Sequence, residues 1–299
     1  MPLLRARDVV KSFAGHRVLD GVSLEVSEAE VVGIVGPNGA GKTTLIRVLL
    51  GLLRRDSGIV ELMGRDPFRD PRARRGVGVV FERPVMPAGL TVVEFLEYAA
   101  SILGVPAGRV DWAIRASGLE RHEHKFFNQL SAGLKQRAAL AHALLAKPRL
   151  VVADEPTSNL DPVERVRILD TISGLARGEG VAFLLTSHVL HEIVRVADRV
   201  VILYSGRVVA SGSIDEVSSM IGRIVRIRTP IPDRLAEHLR ASGFKAEVRG
   251  LSVIVRLGEG GAGGLLRTLA DIVDHVQVYD IDFVEAGLEE VLGRVGEAA

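Results

Sequence analysis

The residues whose types and spacing most clearly predict chemistry form one glycine-rich segment that ends in lysine and threonine. The segment reads Gly36, Pro37, Asn38, Gly39, Ala40, Gly41, Lys42, Thr43 and Thr44. Its glycines allow backbone N–H groups to turn towards phosphate oxygens. Lys42 would neutralise charge on the β- and γ-phosphates, and the Thr43 hydroxyl would bind Mg²⁺. The segment therefore predicts a phosphate-binding loop for a nucleotide.

A second candidate site consists of two adjacent carboxylates, Asp154 and Glu155, which follow a short apolar run. Alternation along a strand predicts that their side chains point to opposite sides. Asp154 would hold Mg²⁺, directly or through water, while Glu155 would orient or deprotonate an attacking water. Taken alone, the pair is equally typical of a solvated turn. Downstream of a phosphate-binding loop, it indicates a hydrolytic site.

Short apolar runs precede these polar clusters and predict the elements that position them. Runs of this length, apolar on both faces, suit strands buried in a parallel sheet. They cover residues 31–35, 150–153 and 181–185. Apolar residues after Lys42 recur at helical spacing, and Asp161 followed by Pro162 is typical of a helix start. The sequence therefore predicts an α/β fold with ligand loops at the carboxyl ends of the strands.

The pattern changes near residue 218, where a small α+β module is predicted to begin. Its expected order is a strand, a helix, two strands, a helix, and a last strand and helix. The first five elements are expected at residues 223–228, 232–242, within 244–257 and at 264–273, with a glycine-rich loop at 258–264. We therefore expect one domain over residues 1–218 and an accessory domain over residues 219–299, whose role the sequence leaves open.

Composition and charge exclude several classes of protein. Lys and Arg total 38 against 37 for Asp and Glu, so the net charge of +1 gives no reason to expect nucleic acid as a partner. The absence of cysteine excludes disulfides, thiolate metal sites and a cysteine nucleophile, and it fits a reducing compartment. Arg5, Arg7 and Asp8 argue against a signal peptide, and no window reaches the roughly 18 apolar residues of a membrane-spanning helix. We expect a cytoplasmic chain that does not cross a membrane by itself.

Three further motifs complete an order that is characteristic of one family. They are Leu130-Ser131-Ala132-Gly133-Leu134-Lys135-Gln136-Arg137, Ser158-Asn159-Leu160-Asp161 and Thr186-Ser187-His188. With the phosphate-binding loop and the carboxylate pair, residues 1 to about 218 resemble the ATP-binding cassettes of ABC proteins. The resemblance implies a P-loop NTPase fold with a parallel-sheet core, an antiparallel β subdomain and a helical subdomain at about 83–148. It also implies ATP hydrolysis, with ATP and Mg²⁺ bound.

The resemblance also assigns roles to residues outside the phosphate-binding loop. Ser131 and Gly133 would contact the γ-phosphate bound by the other protomer, so that two cassettes share two ATP molecules. His188 would contact the γ-phosphate and stabilise the transition state. Asp161 would couple the two sites across the interface, cap a helix, or do both. Phe13 lies where the family places an aromatic ring that stacks on adenine, with packing in the core as the alternative.

Three positions depart from the pattern of the family. Glu82 stands where most members have glutamine, and a carboxylate there could still bind Mg²⁺ while changing the charge near the γ-phosphate. Ala132 replaces the usual glycine, and Leu134 replaces a common glutamine and cannot hydrogen-bond a nucleotide. We therefore predict slow turnover, with a kcat below roughly 10 s⁻¹.

Glutamate at position 82, the Lys-Gln-Arg sequence at 135–137 and the C-terminal module together resemble the ABC ATPases of drug, sodium or polysaccharide exporters. The resemblance implies a separate transmembrane permease as partner. It also implies a second cassette, which is either the same chain or a closely related one. The chain would then lie on the inner face of the cell membrane.

Two other functions compete with transport. A soluble ABC ATPase acting in translation or DNA repair usually carries two cassettes or a long coiled coil, whereas this sequence has one P-loop and no sustained heptad run. A P-loop kinase or nucleotide-binding regulator would have no use for Ser131 or for the motif at 158–161.

A permease would need a docking surface on this chain. We expect a partly apolar groove after Glu82, to which Pro84, Met86 and Leu90 contribute. Ordinary burial of these residues in the core is the alternative.

Overall fold

The computed structural model describes residues 2–214, 216–217, 223–257, 265, 268–269 and 278–284. The chain divides into two units, Met1–Ile214 and Asp215–Ala299, a few residues before the boundary expected at 218. Each unit has its own hydrophobic core.

Strands and helices alternate along most of the first unit. The strands are β1 (Leu4–Phe13), β2 (His16–Val26), β3 (Val31–Val35), β4 (Ser57–Leu62), β5 (Val77–Val80), β6 (Leu150–Ala153), β7 (Ala182–Ser187), β8 (Arg199–Tyr204) and β9 (Arg207–Ser213). The helices are α1 (Lys42–Leu49), α2 (Val92–Leu103), α3 (Gly108–Ala116), α4 (Ala132–Leu144), α5 (Pro162–Glu179) and α6 (Leu190–Val194).

The main sheet of the first unit has the strand order β5-β6-β7-β3-β8-β9. Neighbouring strands run parallel except for β9, which pairs antiparallel with β8. β3, β6 and β7 are buried along their whole length, as their continuous apolar sequences predict for strands covered on both faces. The predicted parallel-sheet core is confirmed.

The register of this sheet brings the ligand loops together. Val35 of β3 pairs with Ser187 of β7, and Ala153 of β6 pairs with Leu185 of the same strand. Because the three strands are parallel and end at nearly the same level, the loops that follow them lie at one edge of the sheet. These loops carry the phosphate-binding segment, the carboxylate pair and His188.

Two further substructures complete the α/β fold. An antiparallel sheet has the order β2-β1-β4, and the helices α2, α3 and α4 pack against one another between residues 83 and 148. One cluster of buried residues, including Leu4, Ile34, Leu45 and Leu184, joins the antiparallel sheet, α1 and the main sheet. Within the part of the chain that the structure describes, no helix is both long enough and apolar enough to cross a membrane.

The second unit contains an antiparallel sheet and a helix. Its described elements are β10 (Arg223–Arg228), α7 (Pro232–Ala241), β11 (Lys245–Arg249), β12 (Ser252–Leu257) and β13 (Asp280–Val284). The sheet order is β11-β12-β10-β13. The strands and the helix expected up to residue 257 are therefore present. The loop expected at 258–264, the final helix and most of the helix expected at 264–273 lie outside the described residues.

Candidate functional site

The phosphate-binding loop connects β3 to α1 and depends on glycine at its last turn. Gly41 precedes α1 with φ 102°, a backbone conformation that residues with a side chain rarely adopt. A Cβ atom at Gly41 would also lie 2.9 Å from the carbonyl oxygen of Val18 on β2. The segment thus has the strand, turn and helix that a phosphate-binding loop requires, with the first-turn N–H groups of α1 facing its ligand side.

Lys42 lies at the start of α1, with its side chain folded over the loop. Its Nζ donates hydrogen bonds to the carbonyl oxygens of Gly36 at 2.7 Å and Pro37 at 3.2 Å. The same Nζ lies 3.0 Å from Oε1 of Glu155, and the side chain of Lys42 is only 6% exposed. A buried cation held between the loop and a carboxylate is placed to meet the negative charge of a phosphate.

Glu155 links the lysine to the histidine. Its Oε2 lies 2.9 Å from Nδ1 of His188, and its N–H donates to the Thr186 hydroxyl at 2.8 Å. β6 ends at Ala153, and Glu155 has a left-handed φ of 49°. β6 thus ends before the two carboxylates, so strand alternation does not reach them, and a turn sets the direction of Glu155.

Asp154 is buried and is held by both strands that flank β6 in the sheet. Its Oδ1 accepts a hydrogen bond from the Thr186 hydroxyl at 2.7 Å, and its N–H donates to the carbonyl oxygen of Val80 at 2.8 Å. The Thr186 hydroxyl therefore bridges Asp154 and Glu155. In the sequence Thr186 is marked only as part of the motif at 186–188, and nothing there predicts this bridging role.

A cavity of about 510 Å³ gathers most of the predicted site. Its lining residues are Val18, Asn38, Gly39, Gly41, Lys42, Thr43, Thr44, Glu82, Glu155, Ser158, Asn159 and His188. The predicted residues Gly36, Pro37, Ala40 and Asp154 lie one or two positions from these residues in the chain and do not line the cavity. No sequence signal marks Val18, because only the packing of β2 against the loop brings it there. Glu82 contacts the 158–161 motif, with Oε1 at 3.5 Å from the Ser158 hydroxyl.

Phe13 lies outside this cavity at the end of β1. The residue is 47% exposed, and Lys11 Nζ lies 5.2 Å from the ring centroid. The alternative of core packing is therefore wrong for Phe13, and its ring is accessible to a planar ligand.

Ser131, Gly133 and Asp161 also lie outside the cavity, at the starts of α4 and α5. Ser131 caps α4 by accepting from the Leu134 N–H, and Asp161 caps α5 by accepting from the N–H groups of Val163 and Glu164. A Cβ atom at Gly133 would lie 2.7 Å from Oε2 of Glu164. The start of α4 thus packs closely against the start of α5, and the capping role considered for Asp161 is present.

A second cavity, here called the apolar groove, has a volume of about 520 Å³ and lies beside α2 and α4. Its lining residues are Val77, Gly78, Val79, Phe81, Pro84, Val85, Met86, Phe95, Tyr98, Ala99, Ile102, Leu103, Ala139, His142, Ala143 and Ala146. Pro84 and Met86 line it as expected, whereas Leu90 does not. Val85 is 89% exposed, and Tyr98, Ile102 and Leu103 are exposed as well. Burial lowers the pKa of His142 in its wall.

Known proteins share this sequence and fold. Residues 19–158 match the family model described as ABC transporter. The uncharacterized ABC transporter ATP-binding protein YdbJ of Bacillus subtilis is 30% identical, with 95% of each chain covered. The methionine import ATP-binding protein MetN of Caulobacter vibrioides is 39% identical over 72% of this chain and 68% of its own. The bacitracin transport ATP-binding protein BcrA of Bacillus licheniformis is 34% identical over 69% of this chain and 68% of its own.

Solved structures agree with these relatives. An ATP-binding subunit of an ABC transporter has 32% identity and a TM-score of 0.65, covering 73% of this chain and 92% of its own. A dimeric bacterial ABC transporter cassette has 26% identity and a TM-score of 0.64, covering 71% of this chain and 98% of its own. Together with the Lys42, Glu155 and His188 cluster, these similarities establish that the chain belongs to the ATP-binding proteins of ABC transporters, whose cassettes bind and hydrolyse ATP.

Proposed function

We propose that this chain uses ATP to power export through a separate transmembrane permease, as one of two cassettes that close around ATP. The observation that carries the proposal is the meeting of Lys42, Glu155 and His188 at one cavity. A cation, a carboxylate and an imidazole in contact are the groups needed to neutralise a triphosphate and activate water.

The proposed chemistry divides between these three residues. Lys42 binds the β- and γ-phosphates, and the phosphate-binding loop from Gly36 to Thr44 encloses them. Glu155 orients the attacking water or accepts its proton as the water bonds to the γ-phosphorus and the bond to ADP breaks. Because Nδ1 of His188 contacts Glu155, Nε2 is left to face the γ-phosphate and stabilise its developing charge.

Thr43, Asp154 and Glu82 are the proposed ligands of Mg²⁺. A hydroxyl and carboxylates are hard oxygen donors, and protein-bound Mg²⁺ usually takes one or two carboxylates together with substrate phosphates. No group of three or more His, Cys, Asp or Glu side chains suited to a metal occurs among the described residues. The hydroxyl and carboxylate donors fit Mg²⁺ that arrives with ATP, and the ion would neutralise phosphate charge there.

Pairing of two cassettes is supported by residues that do not line the cavity of their own chain. Ser131 is exposed at the start of α4, and Gly133 and Asp161 lie on the packed ends of α4 and α5. We propose that this surface completes the ATP site of a second cassette. A solved relative of the same fold is dimeric. ATP binding would then close the pair and hydrolysis would open it.

The permease is proposed to dock in the apolar groove. Exposed apolar side chains around a concave surface are typical of an interaction site. Glu82, which lines the ATP cavity, and Phe81, which lines the groove, are adjacent in the chain. A movement of this segment would therefore change both the ATP cavity and the apolar groove. Such docking would hold the chain on the cytoplasmic face of the membrane.

Export rather than import is the finer part of the proposal. It is supported by Glu82, by the Lys-Gln-Arg sequence at 135–137 and by the second unit. The relatives include proteins named for methionine import and for bacitracin transport, so similarity alone leaves the direction open. Uptake of labelled substrate into inside-out vesicles that contain the permease and this chain is the outcome expected for export.

Replacing Glu155 with glutamine tests the catalytic and dimer assignments together. The Glu155→Gln variant keeps the shape of the side chain but loses the carboxylate, so we expect hydrolysis to fall by on the order of 100-fold or more. With ATP and Mg²⁺ it should accumulate as a stable dimer in size-exclusion chromatography with light scattering.

Glu30→Gln is the matched control, because Glu30 is a partly buried carboxylate paired with Arg199 at the start of β3, away from the ligand edge of the sheet. This control should hydrolyse ATP normally and form no trapped dimer. Normal hydrolysis by Glu155→Gln would disprove the catalytic assignment, and a variant that stays monomeric with and without its permease would disprove the pairing.

A further inference from the structure

Glu192 on α6 is a buried carboxylate that the proposed chemistry does not use. Its residue exposure is 4%, and it does not line the ATP cavity. Oε2 accepts hydrogen bonds from the hydroxyl of Thr157 at 2.5 Å and from the hydroxyl of Ser187 at 3.3 Å. Oε1 accepts from Nη1 of Arg165 at 3.1 Å. Three donors from three different elements therefore meet on one carboxylate.

Each donor belongs to a segment that carries a residue of the site. Thr157 lies two residues after Glu155, and Ser187 directly precedes His188. The Ser187 hydroxyl also accepts from the Val189 N–H at 3.0 Å, so it holds the turn on both sides of His188.

The third donor extends the network to the 158–161 motif. Arg165 uses its Nε to donate to the carbonyl oxygen of Leu160 at 2.8 Å, beside Asp161. Glu192 thus connects the loop after β6, the end of β7 and the first turns of α5.

A buried carboxylate holds its hydrogen-bond donors strongly. Leaving the carboxylate or a donor unpaired in the interior costs much more free energy than a solvent-exposed hydrogen bond contributes. The 2.9 Å contact between Glu155 and His188 joins the same two segments on the cavity side. Since catalysis depends on distances of this kind, a displacement of about 1 Å can cost on the order of 100-fold in rate.

We propose that Glu192 is a positioning residue, which sets the contact between Glu155 and His188 by tying together the segments that carry them. It acts on hydrolysis through these two side chains and does not itself touch ATP. The inference rests on the roles proposed for Glu155 and His188.

The test is Glu192→Gln, measured as steady-state ATP hydrolysis by the full chain. Glutamine keeps the size of the side chain but places an NH₂ group where one carboxylate oxygen now accepts, so at least one donor loses its partner. We expect kcat to fall about tenfold or more, while KM for ATP stays within about twofold, because the phosphate-binding loop is not involved. Glu30→Gln, which loses a carboxylate paired with Arg199, should leave both constants unchanged.

A second pair of variants guards against a folding defect at Glu192. Thr157→Val removes the hydroxyl without changing the shape of the side chain, and Thr157→Ser keeps it. Thr157→Val should lower kcat as Glu192→Gln does, and Thr157→Ser should restore most of the activity. Equal kcat values for Thr157→Val and the parent chain would overturn the proposal.

A double variant that combines Glu192→Gln with His188→Ala tests whether Glu192 positions the site or only supports the fold. If Glu192 acts through His188, adding Glu192→Gln to His188→Ala should lower kcat much less than it does in the parent chain. A full, additive loss would show that Glu192 only supports the fold. If Glu155→Gln abolishes hydrolysis while Glu192→Gln leaves kcat intact, the proposed function stands and this inference alone fails.

Discussion

At the scale of single residues, Thr186 holds two residues of the site by hydrogen bonds that its neighbours in the sequence do not predict. It is fully buried, it donates to Asp154, and it accepts from the backbone of Glu155. One hydroxyl on β7 therefore holds both the carboxylate of Asp154 and the backbone of Glu155 after the end of β6. An apolar side chain of the same size would fill the space but leave a buried N–H and a buried carboxylate oxygen without their partner.

Thr186→Val is expected to reduce the free energy of unfolding by about 1–3 kcal/mol and to lower kcat, because a buried donor and acceptor lose their partner. Thr186→Ser keeps the hydroxyl and serves as the control, with a smaller loss from the missing methyl group. Trp112, the single tryptophan of the chain, lies in α3 and reports on the first unit by its fluorescence in urea unfolding. Equal stability for Thr186→Val and the parent chain would contradict the assignment.

At the scale of elements, the short helix α6 packs directly on β3. A Cβ atom at Gly33 of β3 would lie 1.9 Å from Cγ2 of Ile193. Only a residue without a side chain allows this approach, which places Glu192 close enough to reach its three donors. By contrast, Gly174 on α5 is exposed and a Cβ atom there would meet nothing within 4 Å.

Substituting alanine at these two glycines should therefore change the free energy of unfolding in opposite directions. Gly33→Ala forces β3 and α6 apart, and we expect a loss of about 1–3 kcal/mol in the free energy of unfolding. Gly174→Ala lies in a helix interior with free space, so it should gain about 0.5–1 kcal/mol. Urea unfolding followed by Trp112 fluorescence measures both, and a Gly33→Ala variant as stable as Gly174→Ala would disprove the close packing.

At the scale of the whole molecule, the chain has two separately packed units. The first contains every residue proposed for ATP binding and hydrolysis. The second has its own core, which includes Val225, Ile227, Leu235 and Val255. The accessory domain is thus proposed to be independent of the chemistry.

A chain that ends at Ile214 is expected to fold and to hydrolyse ATP within about threefold of the full chain, because each unit contains its own core. Trp112 fluorescence and ATP hydrolysis measure the two properties. Loss of hydrolysis in a chain that still unfolds cooperatively would instead give the second unit a role in catalysis.

The apolar groove also belongs to this scale, because its proposed partner is another polypeptide. Ile102→Glu places a charge among exposed apolar side chains and is expected to abolish co-purification with the permease while leaving basal hydrolysis intact. Leu251→Glu is the matched control, since Ile102 and Leu251 are both 67% exposed and Leu251 lies in the second unit. Permease binding by Ile102→Glu at the level of the control would exclude the groove as the docking surface.

Local sequence determined the parts of the site that depend on neighbours in the chain. The glycines before Lys42 specify the turn between β3 and α1, and Asp161 followed by Pro162 specifies the start of α5. The apolar runs at 31–35 and 150–153 became buried parallel strands because no other environment suits such sequences. The fold class and the residues of the phosphate-binding loop were predictable because both depend on residues that are close together in the chain.

Only the tertiary structure decided which distant groups meet. Lys42, Glu155 and His188 come together because β6, β7 and β3 are neighbours in the sheet, an order that differs from their order in the chain. The turn at Glu155, the exposure of Phe13 and the three donors on Glu192 likewise depend on packing between elements. Periodicity along the chain reports which side of an element is buried, whereas contacts between elements arise from the way their surfaces fit together, and that is set only when the whole sheet is assembled.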